Sequence, residues 1–347
     1  MTIPIGNVYY LLCYAWGFLD QADVVEVAEL NRLERVQDLF GSVLAQGTFR
    51  LLRRGIDQGY REFTREMPGV RGKLEVGLTA KRALRARGRT VCTVEEFSPD
   101  VLHNRIVRST LQALLRTEGL DPEVRRSVAL AFRKMDGVTV VPLRRGLFRR
   151  VQLDRNQRTY RFLLAICRLV ADSLLLREGR GEGRFQDFRR DQKRMWQLFE
   201  EFVSEFLHRE QSLFRIEPQR RLAWAAPAGA TPRDEALIPA MFPDLVAEAP
   251  HRRVILDAKF YRSPLRSGRG GPKLRSGNLY QILTYLQNRQ GTHPEGPRHE
   301  GILLYAAVGE TLRVDVRLQG FRVQARTVDL SRPWEEIHGE LLSVLVE

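Results

Sequence analysis

Pro243-Asp244-Leu245-Val246 and, after a short polar break, Val254-Ile255-Leu256-Asp257-Ala258-Lys259 read as two neighbouring strands. Side chains alternate across a strand, so Asp257 and Lys259, two residues apart, project from one face. Charges at the end of an apolar run are costly to bury unless they are paired or hold a metal. Two carboxylates and one amine in a small patch are the groups that Mg²⁺-dependent phosphodiester hydrolysis requires. The carboxylates Asp244 and Asp257 hold the hard cation, and Lys259 orients the attacking water or steadies developing negative charge. The pattern predicts a nuclease site.

Composition narrows the partners. The chain has 347 residues, enough for two domains, and its 56 Lys+Arg against 42 Asp+Glu give a net charge of +14. Such an excess, largely arginine, favours a polyanion such as double-stranded DNA. The three cysteines, Cys13, Cys92 and Cys167, are far apart in apolar stretches, which argues against structural zinc or disulfides and for a cytoplasmic protein. The six histidines form no HxH or HExxH set, so a metal would be held by carboxylates, as suits Mg²⁺ or Mn²⁺. No GxxxxGK[ST] occurs, so the chain should not hydrolyse a nucleotide on its own. The apolar stretch Val8–Trp16 follows no basic leader and is too short to span a bilayer, so no membrane association is expected.

Along the chain, helical periodicity is expected over 31–54, and a β-hairpin with a basic tip at Met67-Pro68-Gly69-Val70-Arg71-Gly72-Lys73. A strand at 90–95 precedes helices over 98–116 and 122–135. Short β-like runs over 137–150 place a domain boundary near 150. Helices over 157–177 and 190–212 flank the Gly-rich stretch 179–183. Strands are expected at 215–225, 237–248, 252–261, 301–308, 311–317 and 320–328, with a helix at 278–290 and a last one from Pro333.

Other residues gather around the acidic patch in this layout. Gln281 and Tyr285, four apart, share a helical face. Glu201 and Glu205 share a face of an earlier helix. A basic, Gly-rich loop directly after the Asp257 strand carries Arg262, Arg266, Arg269, Lys273 and Arg275, placed to track a phosphate backbone. Strand, strand, loop, helix, strand with carboxylates on the hairpin resembles the PD-(D/E)xK nucleases, Pro243-Asp244 being the first half of the motif and Asp257-Ala258-Lys259 the second. Gln281-Ile282-Leu283-Thr284-Tyr285 resembles the QxxxY element of the RecB-like branch. These resemblances imply an α/β (α+β) fold with a central mixed sheet flanked by helices. They also imply a metal shell of Asp244, Asp257 and the Ala258 carbonyl, with Glu201 or Glu205 as candidates to complete it. Gln281 and Tyr285 would orient the lysine or contact DNA.

A wider resemblance covers nearly the whole chain. Ile3-Pro4-Ile5-Gly6-Asn7-Val8-Tyr9-Tyr10-Leu11-Leu12-Cys13-Tyr14-Ala15-Trp16 is similar to the opening signature of the McrC family, and Pro68–Gly72, Asn104–Leu111, Asp257–Tyr261 and Asn278–Gln281 agree with it. Gly6 departs from the charged residue usual there, and Pro243 is absent from many members. The resemblance implies an N-terminal partner-binding domain over 1–150 and an endonuclease domain over 151–347. The partner implied is an McrB-like hexameric AAA+ GTPase, whose hydrolysis this chain stimulates and which reads methylated sites in DNA. Arg71 and Lys73 are the residues expected to contact that partner. The alternative from another class is a non-catalytic, DNA-binding assembly factor that regulates the GTPase.

Overall fold

The computed structural model describes residues 3–20, 30, 32–175, 185, 187–222, 224, 229, 231–268, 270–292 and 299–346. Its contacts divide the chain into two units, 37–186 and a second made of 1–36 with 187–347. The chain thus does not part at residue 150, for two packing reasons. The helix Arg158–Leu175 buries Phe162, Leu163, Ile166 and Val170 and packs against the helix Leu102–Leu115, so it belongs to the first unit. The helix Ile5–Ala15 packs instead on the helix Gln192–Glu210. Its buried Asn7 donates to the carbonyls of Leu330 (2.9 Å) and Arg332 (2.8 Å), and Tyr10 stacks on Trp334 with ring centroids 4.3 Å apart. The opening signature braces the second unit.

In the 37–186 unit, helix Val36–Arg54 buries Leu39, Phe40, Val43 and Leu44 at helical spacing. Strands β1 (Gly59–Pro68), β2 (Lys73–Leu74) and β3 (Arg89–Ser98) form an antiparallel sheet in the order β1-β3-β2. Residues 67–73 are therefore not a tight hairpin. The partner of β1 begins only at Arg89, and Lys73 pairs with Thr93 on the opposite edge of β3. Gly72 makes the crossing possible: its φ is +70° and a Cβ would lie 2.5 Å from the Thr93 carbonyl oxygen. Arg71 and Lys73 are exposed. The β-like runs expected over 137–150 form no strand among the described residues, because side chains take up their backbone groups. Thr139 N–H donates to Asp100 Oδ1 (2.7 Å) and Val141 N–H to Ser109 Oγ (2.8 Å), and a helical turn at Arg145–Phe148 follows.

The second unit is built on six strands: β4 (Arg215–Pro218), β5 (Leu245–Ala249), β6 (Arg252–Phe260), β7 (His299–Ala307), β8 (Arg313–Leu318) and β9 (Phe321–Asp329), in the order β4-β5-β6-β7-β9-β8. β6–β7 and β7–β9 are parallel and the other pairs antiparallel, giving the mixed sheet expected. β4 and β5 are shorter than the apolar runs predicted, since a short helix, Pro232–Leu237, with a Thr231 capping box lies between them. The helix Ser276–Thr292 links β6 to β7, and Trp334–Ser343 closes the unit after Pro333. On one face of the sheet, Ile255, Leu303 and Tyr305 pack with Ile282, Tyr285 and Leu286 of the Ser276–Thr292 helix. Full burial of each such aliphatic side chain contributes roughly 1.5–3 kcal/mol. Gly301 permits the close approach, because a Cβ there would stand 2.7 Å from Ile282 Cγ1. The Gln192–Glu210 helix also packs on β6, with the rings of Phe199 and Phe260 6.4 Å apart. No helix among the described residues is long and apolar enough to cross a membrane.

Candidate active site

The site forms where β6 outruns β5. Leu245, opposite Leu256, is the first residue of β5, so Ala258 has no backbone partner on that side. The Asp244 carboxylate fills the gap: its Oδ2 accepts from Ala258 N–H at 2.7 Å. The Ala258 carbonyl accepts from Trp196 Nε1 at 3.3 Å, which leaves its second lone pair open. Asp257 and Lys259 leave β6 on the face that Ile255 shares with the Ser276–Thr292 helix, both buried, and form an ion pair with each other. Asp257 Oδ1 is buried without a hydrogen bond. The three motif residues predicted from sequence are thus brought together.

Electrostatics sharpen the picture. Burial, then the charges of Asp257 and Glu200, push the Asp244 carboxyl up to about 8, against the smaller opposing pull of Lys259 and the Ala258 N–H. Burial also raises Asp257, although the charge and hydrogen bond of Lys259 oppose it, and Glu200 adds to the rise. Burial disfavours the Lys259 ammonium, but Asp257 and then Asp244 outweigh it and raise its pKa. A lysine held charged beside two carboxyls whose ionisation burial opposes describes a site that a further cation would relieve.

Glu200, not Glu201 or Glu205, is the helix carboxylate that acts on the pair. Glu201 is exposed, and Glu205 is ion-paired with Arg209 at 3.6 Å. Gln192, Trp196 and Glu200 recur every four residues and so form one helical stripe. Trp196 reaches the Ala258 carbonyl, and Gln192 Nε2 donates to the Phe260 carbonyl at 3.5 Å. That spacing was the available signal for Glu200, and for Trp196, which sequence reasoning passed over.

Gln281 and Tyr285 do share a face, but they bond to each other and not to Lys259. Gln281 Nε2 donates to the Tyr285 hydroxyl (2.9 Å), which donates to the Phe242 carbonyl (3.4 Å) immediately before Pro243-Asp244. They hold the segment that carries the first carboxylate. In the basic loop, Arg262, Arg266 and Lys273 are exposed, while the Arg275 guanidinium lies 4.1 Å over the Tyr261 ring. Arg266 and Lys273 exchange backbone hydrogen bonds, so the loop is a short ribbon turning at Gly270 and Gly271. Arg269 lies outside the described residues.

These donors suit a small hard cation. Among the described residues no three His, Cys, Asp or Glu side chains already stand clustered for a metal. Mg²⁺, however, is commonly held by one or two carboxylates and keeps several waters. The unbonded Asp257 Oδ1, the repulsion between Asp244 and Asp257, and the open lone pair of Ala258 meet that need.

The sequence profile of the McrBC 5-methylcytosine restriction system component family matches residues 8–306. The chain is 32% identical over 349 aligned positions, covering 100% of itself and 98% of its relative, to the type IV methyl-directed restriction enzyme EcoKMcrBC of Escherichia coli (strain K12). Its fold is similar to that of a chain in a half-complex from the tetradecameric assembly of Thermococcus gammatolerans McrB AAA+ hexamers with bound McrC. That match has a TM-score of 0.60 at 20% identity and covers 97% of this chain and 75% of the other. With a family match over most of its length and a full-length relative above 30% identity, this chain belongs to the McrBC 5-methylcytosine restriction system component family.

Proposed function

We propose that this chain is the DNA-cutting subunit of a modification-dependent restriction complex, a Mg²⁺-dependent endonuclease of the PD-(D/E)xK type that works with an McrB-like AAA+ GTPase. One observation carries the reading: Asp244, Asp257 and Lys259 are buried together at the end of β6, at an electrostatic cost that a bound cation would relieve. Asp244, Asp257 and the Ala258 carbonyl would hold the cation, with Glu200 as the further carboxylate. Mg²⁺ there would polarise the scissile phosphate and lower the pKa of a bound water. Lys259, already charged, would steady the negative charge that builds on phosphate oxygens. Arg262, Arg266 and Lys273 would track the backbone beside the scissile bond, which fits a chain of net charge +14.

A Mn²⁺ titration of the isolated chain, followed by electron paramagnetic resonance, tests the metal shell. Glu200→Gln is expected to weaken binding about tenfold, as for losses around a metal shell, and Glu201→Gln to leave it unchanged. The reverse order would restore Glu201, one of the two residues expected from sequence.

The relatives' descriptions support the partner: the E. coli relative is described as a methyl-directed restriction enzyme, and the Thermococcus assembly pairs McrC with McrB AAA+ hexamers. In this reading the partner recognises the methylated site and hydrolyses GTP. Two such nuclease subunits would give a double-strand break. The exposed Arg71 and Lys73 would contact the partner ring. Replacing both by alanine is expected to lower the partner's stimulated GTP turnover several-fold while leaving Mn²⁺ binding intact; unchanged turnover would remove that contact from the account.

A further inference from the structure

Among the described residues only three non-glycine positions adopt positive φ: Ala83, Gln219 and Gln319. Gln219, at φ +44°, sits immediately after β4 and beside the candidate active site. A left-handed backbone is unfavourable for a residue with a Cβ, and such conformations persist where the surroundings enforce them. Gln219 is exposed, and two contacts accompany this conformation. Its backbone N–H donates to the Asp244 carbonyl at 3.0 Å, and its side-chain Nε2 donates to Glu200 Oε1 at 3.1 Å. One residue therefore grips the main chain of the first carboxylate and the side chain of the helix carboxylate at once.

The chemistry of that grip is specific. An arginine or lysine at this place would orient Glu200 but also neutralise part of the charge that a cation needs. A neutral amide fixes one oxygen and leaves the carboxylate's charge intact. Among the described residues, Glu200 Oε2 makes no hydrogen bond and stays available.

We propose that Gln219 is a positioning residue that aims Glu200 at the Asp244–Asp257 pair and so sets the affinity of the site for its divalent cation. The inference rests on the nuclease reading above. It goes beyond that reading by assigning a role to a residue outside the motif.

Gln219→Gly provides the test, because it separates this role from that of a turn former. Glycine accepts the left-handed backbone more readily than glutamine, so a purely structural position predicts a chain at least as stable, with unchanged metal affinity. The proposal predicts about tenfold weaker Mn²⁺ binding by the full chain in spite of retained thermal stability. In cleavage by the complex, it predicts a rise of similar size in the Mg²⁺ concentration giving half-maximal rate, with the rate at saturating Mg²⁺ close to wild type. In a Glu200→Gln background, Gln219→Gly should add nothing further, since the two residues act as one unit. Gln219→Gly with wild-type Mn²⁺ affinity, while Asp257→Asn abolishes binding, overturns the assignment of Gln219 alone. A wild-type chain with no Asp257-dependent Mn²⁺ site overturns both the assignment and the nuclease reading beneath it.

Discussion

Lys259→Met is expected to lower DNA cleavage by at least about 10²-fold and, without metal, to destabilise the protein by about 3 kcal/mol. The second effect follows from what the lysine does at rest. Asp257 is fully buried, its Oδ1 accepts no hydrogen bond, and the Lys259 ammonium is its counter-charge. Methionine fills a similar volume but leaves that carboxylate uncompensated, and breaking a buried pair from one side costs more than the pair itself contributes. A divalent cation can replace the missing charge. Mg²⁺ should therefore raise the melting temperature of the variant more than that of wild type, while cleavage stays lost because no ammonium steadies the negative charge that builds on the phosphate oxygens. Thermal unfolding with and without Mg²⁺ checks the first half. A variant with wild-type stability in metal-free buffer would mean that Asp257 is less dependent on Lys259 than its burial implies.

Asp244→Asn is expected to separate stability from activity in the opposite direction. Burial, followed by the charges of Asp257 and Glu200, lifts the Asp244 carboxyl to about 8, far above its usual range. The folded state therefore keeps a proton that the unfolded chain gives up. The stabilisation linked to that proton is complete below about pH 4 and is lost as pH rises through about 8. Metal-free wild type should lose stability across this window. Asparagine cannot ionise, and its side-chain oxygen can still accept from Ala258 N–H, so the variant should lack this slope. At pH 8 it should be more stable than wild type by on the order of 2 kcal/mol, and inactive. The same proton competes with the cation, so wild-type Mn²⁺ affinity should climb between pH 6 and pH 8. Urea unfolding across this range measures the slope; equal slopes in the two proteins would contradict the environment assigned to Asp244.

The parts of the site legible in the sequence are those fixed by local periodicity. Asp257 and Lys259 share a face because strand side chains alternate, and the mixed sheet followed from strands separated by one long helix. Glu200 was within reach, since it lies four residues from Trp196, but four acidic residues on one helix do not say which stripe meets β6. What orders Gln281 and Tyr285 was hidden for a related reason: their shared face was clear, yet their acceptor is the carbonyl of Phe242, a distant backbone group. The boundary near 150 failed on long-range packing. Asn7 is held by the carbonyls of Leu330 and Arg332 at the other end of the chain, and no local pattern announces such a bond. Gln219 was invisible for both reasons, because its meaning lies in a left-handed backbone and two partners on separate elements.

The central claim is that the β6 patch cuts DNA, as opposed to regulating a partner that does. Cleavage of methylated DNA should be measured with the AAA+ GTPase, GTP and Mg²⁺, using wild-type or Lys259→Met chain, with GTP turnover followed in the same reactions. The account predicts double-strand cleavage by wild type, its loss in the variant, and equal GTP turnover in both. Cleavage at the wild-type rate by Lys259→Met would contradict it.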